Sequence, residues 1–265
     1  FFMKGALHGR LFMAARLGAK AVYLYESEAV IQVAREIAHA NKLRNVHFVP
    51  MHSTAVAKPE QADIIVSETL GNYAFEENMI QTLEDARRRF LKPGGVIIPG
   101  SVDQFMAPVV SRHMSDELDA WRQVGANLGI ELDMAPARTM SRNNIYVRRL
   151  NPADLFEHGA SAAQWDRVDF MKPNKPARSG RAQWAIKKSV TITGAALWWT
   201  ATLTGGVTLS TGPQAAPTHW EQLFFPALEP LQLAAGETFH AEIHTKSSEE
   251  GGTDIAWSLS VRSAK

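Results

Sequence analysis

The sequence predicts two kinds of fold in succession, an α/β domain over residues 1–99 and an all-β domain over residues 100–265. The first part alternates helical and strand patterns, as parallel α/β sheets do. After Pro99 the helical periodicity fades, and short runs rich in β-branched and aromatic residues alternate with Gly, Thr and Ser. With 265 residues, 45% of them apolar, the chain is long enough to bury a core in both parts.

In the first part, helical segments lie between short apolar runs. Gly18 is predicted to end the first helix, because glycine readily adopts the left-handed conformation that closes a helix. Ser27 is a predicted N-cap of the second helix, and residues 92–95, Lys-Pro-Gly-Gly, predict a turn into the last strand. The predicted helices are residues 11–17, 27–40 and 76–90, and the predicted strands are residues 21–25, 46–49, 62–66 and 96–99.

The second part is predicted to be mostly antiparallel strand. A more helical insert at about residues 115–135 interrupts it and is a candidate arm for association, with Leu118 and Trp121 as anchors. The predicted strands are residues 189–193, 195–203, 207–210, 239–245 and 255–261.

Charge and composition argue against several kinds of partner. Lys plus Arg number 28 and Asp plus Glu number 27, so net charge predicts neither a specific nucleic-acid partner nor a membrane partner. The chain has no cysteine, which excludes disulfides and thiolate zinc sites, and we predict no metal. We find no secretory signal or bilayer-length apolar run and expect a cytoplasmic protein. The first residue is Phe1, not Met, so we expect that the chain was cut from a longer one.

Two glutamates, Glu68 and Glu77, delimit a segment that directly follows the buried-strand pattern of residues 62–66. We call residues 68–77 the double-glutamate loop. Two carboxylates presented by one loop can hold a planar cation from two sides, and guanidinium is the side-chain cation with a matching fork of N–H groups. The loop therefore predicts arginine as the substrate.

Three motifs in order resemble the protein arginine methyltransferases. They are the double-glutamate loop, the Leu-Lys-Pro-Gly-Gly run at residues 91–95, and Thr218-His219-Trp220, which we call the Thr-His-Trp segment. The resemblance extends from about Ala14 to the C-terminus. It implies a class I, Rossmann-like methyltransferase domain followed by an antiparallel β-barrel with a helical arm, S-adenosylmethionine as methyl donor, an arginine-containing protein or peptide as substrate, and a homodimer.

The resemblance also assigns roles to individual residues. It places a ribose-binding acid at Glu26, since α/β nucleotide folds set such an acid after the second strand. The implied catalytic residues are Glu68, Glu77 and His219. The implied cofactor-binding residues are Gly5, Gly9, Glu26, His52 and Ser53, and the implied substrate-binding residues are Met79 and Trp220. Met79 matches a methionine of family members that make asymmetric dimethylarginine, although it can equally fill the helix core.

The chain departs from the family at the loop that should approach the methionine part of the cofactor. The family has Gly-x-Gly-x-Gly there, whereas residues 4–10 read Lys-Gly-Ala-Leu-His-Gly-Arg. The spacing of Gly5 and Gly9 differs, and three side chains between them would crowd the approach of the backbone. We also expect the first strand to be largely absent, and binding of S-adenosylmethionine to be weak.

Three interpretations follow from this departure. We favour a truncated or frame-disrupted arginine methyltransferase, because both glutamates are present. A catalytically impaired family member acting as a binding module is the first alternative. A methyltransferase for a small guanidine or amine is the second, since the same loop would grip such a cation.

Overall fold

A computed structural model describes residues 2–4, 9–120, 129, 133–248 and 252–263. The first part contains a five-stranded parallel sheet in the order β3-β2-β1-β4-β5. The strands are β1 Phe2–Lys4, β2 Val22–Tyr25, β3 Val46–Val49, β4 Ala62–Ser67 and β5 Leu91–Ile98. The helices are α1 Gly9–Arg16, α2 Ile31–Ala40 and α3 Met79–Arg89. No helix in these ranges is long and apolar enough to cross a membrane.

The first strand, which the sequence analysis expected to be largely absent, is a short strand in the centre of the sheet. Phe2–Lys4 pairs in parallel with β2 on one side and with β4 on the other. The chain therefore moves from β1 to β2 and β3 on one side, and then crosses back to β4 on the other side of β1. The order of strands reverses between β1 and β4, where open α/β sheets bind ligands.

Two helix starts differ from the prediction for local reasons. Ser27 is not an N-cap, because a turn precedes the helix: the Glu26 carboxylate accepts the backbone N–H of Glu28 at 2.9 Å, and α2 begins only at Ile31, after Val30. The third helix begins at Met79 and not at residue 76, because Asn78 has a left-handed conformation with φ 53° that interrupts a helix.

The second part is antiparallel, as predicted, but it has more strands than the sequence indicated. Six strands form one sheet in the order β7-β12-β10-β6-β8 with β11 paired to β10, and three form another in the order β14-β13-β9. The strands are β6 Ser101–Val109, β7 Tyr146–Arg148, β8 Ala163–Asp169, β9 Ala177–Ala185, β10 Val190–Thr202, β11 Thr208–Ser210, β12 Gln222–Leu233, β13 Thr238–Ser248 and β14 Gly252–Arg262.

These strands form two open sheets among the described residues, whereas the family resemblance implies an antiparallel β-barrel. The neighbouring strands β8 and β9 approach closely without a hydrogen-bond ladder. A Cβ on Gly180 would lie 2.6 Å from the carbonyl oxygen of Trp165, and the Arg178 guanidinium is paired with the Asp166 carboxylate. Side chains therefore join the two sheets at the place where ladder bonds would close a barrel.

One hydrophobic core passes from the parallel sheet into the antiparallel part. Its buried members include Tyr73 and Phe75 after β4, Phe170 after β8, and Trp199 on β10. The ring centroids of Tyr73 and Phe75 are 5.6 Å apart, and those of Phe75 and Phe170 are 6.3 Å apart, both edge to face. The core thus fixes the double-glutamate loop between the two parts.

The predicted arm is described only at its two ends. Helices α4 Arg112–Leu118 and α5 Ala135–Arg142 flank it, while residues 121–128 and 130–132, and Trp121 with them, lie outside the described residues. Leu118 is buried in a cluster with Met114 and is therefore not an exposed anchor.

Candidate active site

Glu68 lies where the parallel sheet is expected to bind a ligand. It directly follows β4, which ends at Ser67, and its side chain is half-buried. The buried hydroxyls of Ser67 and Thr69 are 3.0 Å apart and fix the backbone on either side of it. Because β4 borders the point where the strand order reverses, Glu68 lies at the carboxyl edge of the sheet at that point.

Glu76 is the acid that folds back into the double-glutamate loop. Its Oε1 accepts the backbone N–H of Tyr73 at 3.0 Å. Gly71 makes room for it, since a Cβ there would lie 2.0 Å from Glu76 Oε2. The next residue, Glu77, is exposed. Glu76 therefore braces the loop, a role that sequence reasoning missed, and Glu77 presents its carboxylate at the surface.

Burial raises the pKa of the Glu76 carboxyl, the backbone bonds from Tyr73 and Asn72 lower it in part, and the charge of Glu77 raises it. The net pKa is above the ordinary value. A carboxyl with a raised folded pKa favours folding fully below the unfolded pKa, about 4.3, and this contribution is lost as pH rises through the folded pKa.

Glu76→Gln is therefore expected to lose less stability than the wild type when pH rises from about 4 to about 7. The amide oxygen can still accept the Tyr73 N–H, but the buried charge is absent. Urea unfolding at several pH values measures the difference, with Glu36→Gln on the exposed side of α2 as control. If the free energy of unfolding changes with pH in the same way for the wild type and Glu76→Gln, the raised pKa of Glu76 would be contradicted.

The Thr-His-Trp segment contacts the double-glutamate loop directly. The indole Nε1 of Trp220 donates to the carbonyl of Leu70 at 2.8 Å, and the backbone N–H of Glu221 donates to Asn72 Oδ1 at 2.8 Å. His219 is exposed, and its ring centroid lies 3.8 Å from that of the buried Trp220. The structure thus brings together two of the motifs that the sequence analysis singled out.

Three further residues of the antiparallel part bind the same loop, and no sequence pattern predicts them. Trp199 Nε1 donates to the carbonyl of Gly71 at 2.9 Å. On β13, the Thr245 hydroxyl is 2.6 Å from that of Tyr73, and the Ser247 hydroxyl donates to the carbonyl of Phe75 at 2.7 Å. Trp, Thr and Ser are ordinary strand residues, so only the fold reveals these contacts.

Glu26 and Ser53 form a second part of the candidate site, after neighbouring strands β2 and β3. Glu26 is half-buried directly after β2. Ser53 is fully buried, and its hydroxyl has no hydrogen-bond partner within the described ranges. His52 precedes it, and its Nδ1 accepts the backbone N–H of Thr54. A carboxylate after β2 and an unpartnered buried hydroxyl after β3 fit the ribose and base of a nucleoside.

The remaining predicted residues are less informative. Gly5 lies outside the described residues, whereas Gly9 is the first residue of α1, and a Cβ added there would have no neighbour within 4 Å. Met79 is fully buried in the main core beside Ile80 and Leu83, which favours the core-filling interpretation. Its role in substrate binding stays a prediction.

Comparison with known proteins gives three results. A family model described as "Arginine methyltransferase oligomerization subdomain" matches residues 102–264. Protein arginine N-methyltransferase 6 of Xenopus laevis is 34% identical over 226 residues, covering 82% of this chain and 65% of the relative. The Xenopus tropicalis protein of the same name is 32% identical over 228 residues, covering 83% and 66%. The chain thus spans just under two thirds of the length of these relatives.

Solved structures agree on the fold. The Trypanosoma brucei PRMT1 enzyme–prozyme heterotetrameric complex with AdoHcy matches with a TM-score of 0.85 at 20% identity, covering 99% of this chain and 84% of that one. Arabidopsis thaliana protein arginine methyltransferase 10 matches with a TM-score of 0.73 at 19% identity, covering 98% and 88%.

Proposed function

The chain belongs to the protein arginine methyltransferase family, and from this we propose that it transfers a methyl group from S-adenosylmethionine to a guanidinium nitrogen of protein arginine. The observation that carries the proposal is the hydrogen bond from Trp220 to Leu70, which joins the Thr-His-Trp segment to the double-glutamate loop. This contact supports the proposal that two signatures far apart in sequence are parts of one site.

Glu68 and Glu77 are proposed to grip the substrate. Guanidinium is a poor nucleophile, because its charge is delocalised over three nitrogens and its pKa is above about 12. A half-buried Glu68 and an exposed Glu77 can accept N–H bonds from different edges of the plane. They draw positive charge toward the gripped nitrogens and orient the remaining terminal nitrogen for reaction.

Glu26, His52 and Ser53 are the residues that would hold the cofactor. Glu26 would accept from the ribose hydroxyls, and the unpartnered Ser53 hydroxyl would pair with the base. S-adenosylmethionine supplies a methyl group on a positively charged sulfur. The nitrogen that gains this methyl must release one proton, and the exposed His219 beside Trp220 is proposed to accept it or pass it to water.

The two parts of the chain are proposed to divide the work. Residues 1–99 would bind the cofactor, and residues 100–265 would complete the substrate site. A cavity of about 110 Å³ beside the Thr-His-Trp segment, lined in part by Pro213 and Trp220, supports binding of substrate residues next to the target arginine. The match to an oligomerization subdomain supports a homodimer formed through the arm at 115–135.

The proposal is tested by titrating labelled S-adenosylmethionine with the chain and a Gly/Arg-rich peptide. We expect label on arginine, with half-saturation above the micromolar range, because side chains at residues 6–8 stand where the family has a Gly-rich loop. Calorimetry should give equally weak binding of S-adenosylmethionine alone. Micromolar affinity would contradict the expected defect.

Two other outcomes would favour the alternative functions. Label that accumulates on small guanidines or amines in a lysate, and not on protein, would favour a small-molecule methyltransferase. Peptide binding without any transfer at millimolar cofactor would favour a binding module, since the arginine-gripping residues would then act without a methyl donor.

A further inference from the structure

The double-glutamate loop is fastened to two different sheets of the antiparallel part at alternate residues. The carbonyl of Gly71 accepts from Trp199 of β10, the hydroxyl of Tyr73 contacts β13, and the carbonyl of Phe75 accepts from β13. Buried backbone carbonyls outside regular structure require donors, and here long-range side chains provide them.

Trp199 is itself held rigidly. Its side chain is fully buried, and its backbone is bonded to Thr211, whose N–H donates to the Trp199 carbonyl at 3.0 Å. Its ring meets that of Trp220 edge to face with centroids 5.3 Å apart. The indole N–H of Trp199 therefore has a fixed direction, toward Gly71.

Thr245 and Ser247 lie two residues apart on β13, in the other antiparallel sheet. Residues two apart in a strand point to the same face, and both side chains are buried. They meet the hydroxyl of Tyr73 at 2.6 Å and the carbonyl of Phe75 at 2.7 Å. The loop is thus fixed from both sheets between Glu68 and Glu77.

We propose that Trp199, Thr245 and Ser247 are positioning residues that hold Glu68 and Glu77 in the arrangement that recognises guanidinium. The inference rests on the proposed function. The planar guanidinium of the substrate must bind both carboxylates at once. Recognition therefore depends on a loop that is ordered before the ligand binds. The three residues act through the loop and do not touch the substrate.

Trp199→Phe tests the inference, because it removes the indole N–H, and the loss of ring volume that comes with it is matched in the control. Trp184→Phe is the matched control: Trp184 is also buried, and its Nε1 donates to the carbonyl of Ser161 at 2.8 Å, away from the loop. Amide hydrogen exchange over residues 70–77 and the affinity of a Gly/Arg-rich peptide are measured, together with the affinity of the same peptide with Lys in place of Arg.

We expect exchange over residues 70–77 to be about 10-fold faster in Trp199→Phe, and Arg-peptide binding about 5–10-fold weaker, as the loss of one buried hydrogen bond implies. The ratio of the Arg-peptide affinity to the Lys-peptide affinity should become smaller, a change that general destabilisation would not produce. Trp184→Phe should match the wild type in all three.

Unchanged exchange in Trp199→Phe, or faster exchange with full Arg-peptide affinity and Arg preference, would overturn the inference alone. Failure of the wild type to bind the Arg peptide would overturn the proposed function, and the inference with it. If Trp199→Phe does not fold, Ser247→Ala gives the same test from β13, because it removes the donor to Phe75 without opening a large cavity.

Discussion

Glu68→Gln is expected to lower kcat/KM for methylation of an arginine peptide by about 100-fold or more, the size of effect seen when one oriented charge partner is removed from an active site. Glutamine keeps the size of the side chain but loses its charge. Its amide N–H₂ would also face the N–H donors of the guanidinium, so a bond is replaced by a repulsive contact.

The position of Glu68 explains why its effect should be large. It is half-buried at the carboxyl edge of β4, so water screens its charge less than it screens that of the exposed Glu77. The Arg-peptide affinity without cofactor should fall as well, because Glu68 is proposed to bind the guanidinium before methyl transfer. This second readout is independent of how weakly the chain binds S-adenosylmethionine.

Glu36→Gln, an exposed change on α2, serves as the control for charge alone and should retain wild-type rates and affinity. Melting temperatures of both variants should match the wild type. Wild-type turnover and affinity in Glu68→Gln would remove Glu68 from the site and leave the double-glutamate interpretation without support.

The parts of the site that could be predicted from sequence are those set by local pattern. An apolar run that ends in an acid places Glu26 after β2 and Glu68 after β4, because a buried strand must surface at its end. The role of Glu76 was not predicted. Glu76 and Glu77 are adjacent, and only the structure shows that Gly71 and the turn at Tyr73 decide which of the two folds inward.

The parts that could not be predicted depend on register between distant strands. Trp199 reaches Gly71, and Ser247 reaches Phe75, only because β10 and β13 pair as they do. A shift of one residue would turn each side chain to the other face. The implied β-barrel differs from the two open sheets of the described residues for a similar reason: β8 and β9 are joined through Arg178 and Asp166, which no sequence periodicity predicts.

Arg142→Met is expected to lower the free energy of unfolding by about 3 kcal/mol or more, the cost of removing one member of a buried ion pair. Arg142 ends α5, and its side chain is fully buried. Its guanidinium donates to both oxygens of Asp119, at 3.1 and 2.9 Å, to the carbonyl and hydroxyl of Ser115, and to the carbonyl of Ala227. Methionine fills the space but leaves all these acceptors without the donor.

Urea unfolding measures this loss, and Arg148→Met is the control, because that arginine is 43% exposed and its nearest acid, Glu117, is 3.9 Å away. The control should cost less than about 1 kcal/mol. Adding Asp119→Asn to Arg142→Met should recover part of the loss, since it removes the carboxylate charge that Arg142 neutralised and that the 3.7 Å contact between Asp119 and Arg138 offsets only in part. The loss in free energy of unfolding for Arg142→Lys should lie between those of Arg142→Met and Arg148→Met, because lysine keeps the positive charge but lacks the planar fork of N–H donors. A cost for Arg142→Met no larger than that of the control would contradict the assignment.

The same substitution links stability to assembly. Arg142 ties the end of α5 to Ser115 and Asp119 at the end of α4, and these helices flank the segment proposed as the arm. Loss of these hydrogen bonds should therefore weaken the proposed homodimer under conditions where the chain is still folded. Light scattering measures the self-association, and circular dichroism on the same samples shows whether the chain is folded. A folded Arg142→Met variant with wild-type self-association would show that association does not depend on the bonds from Arg142 to Ser115 and Asp119. Arg142 would then only stabilise the fold.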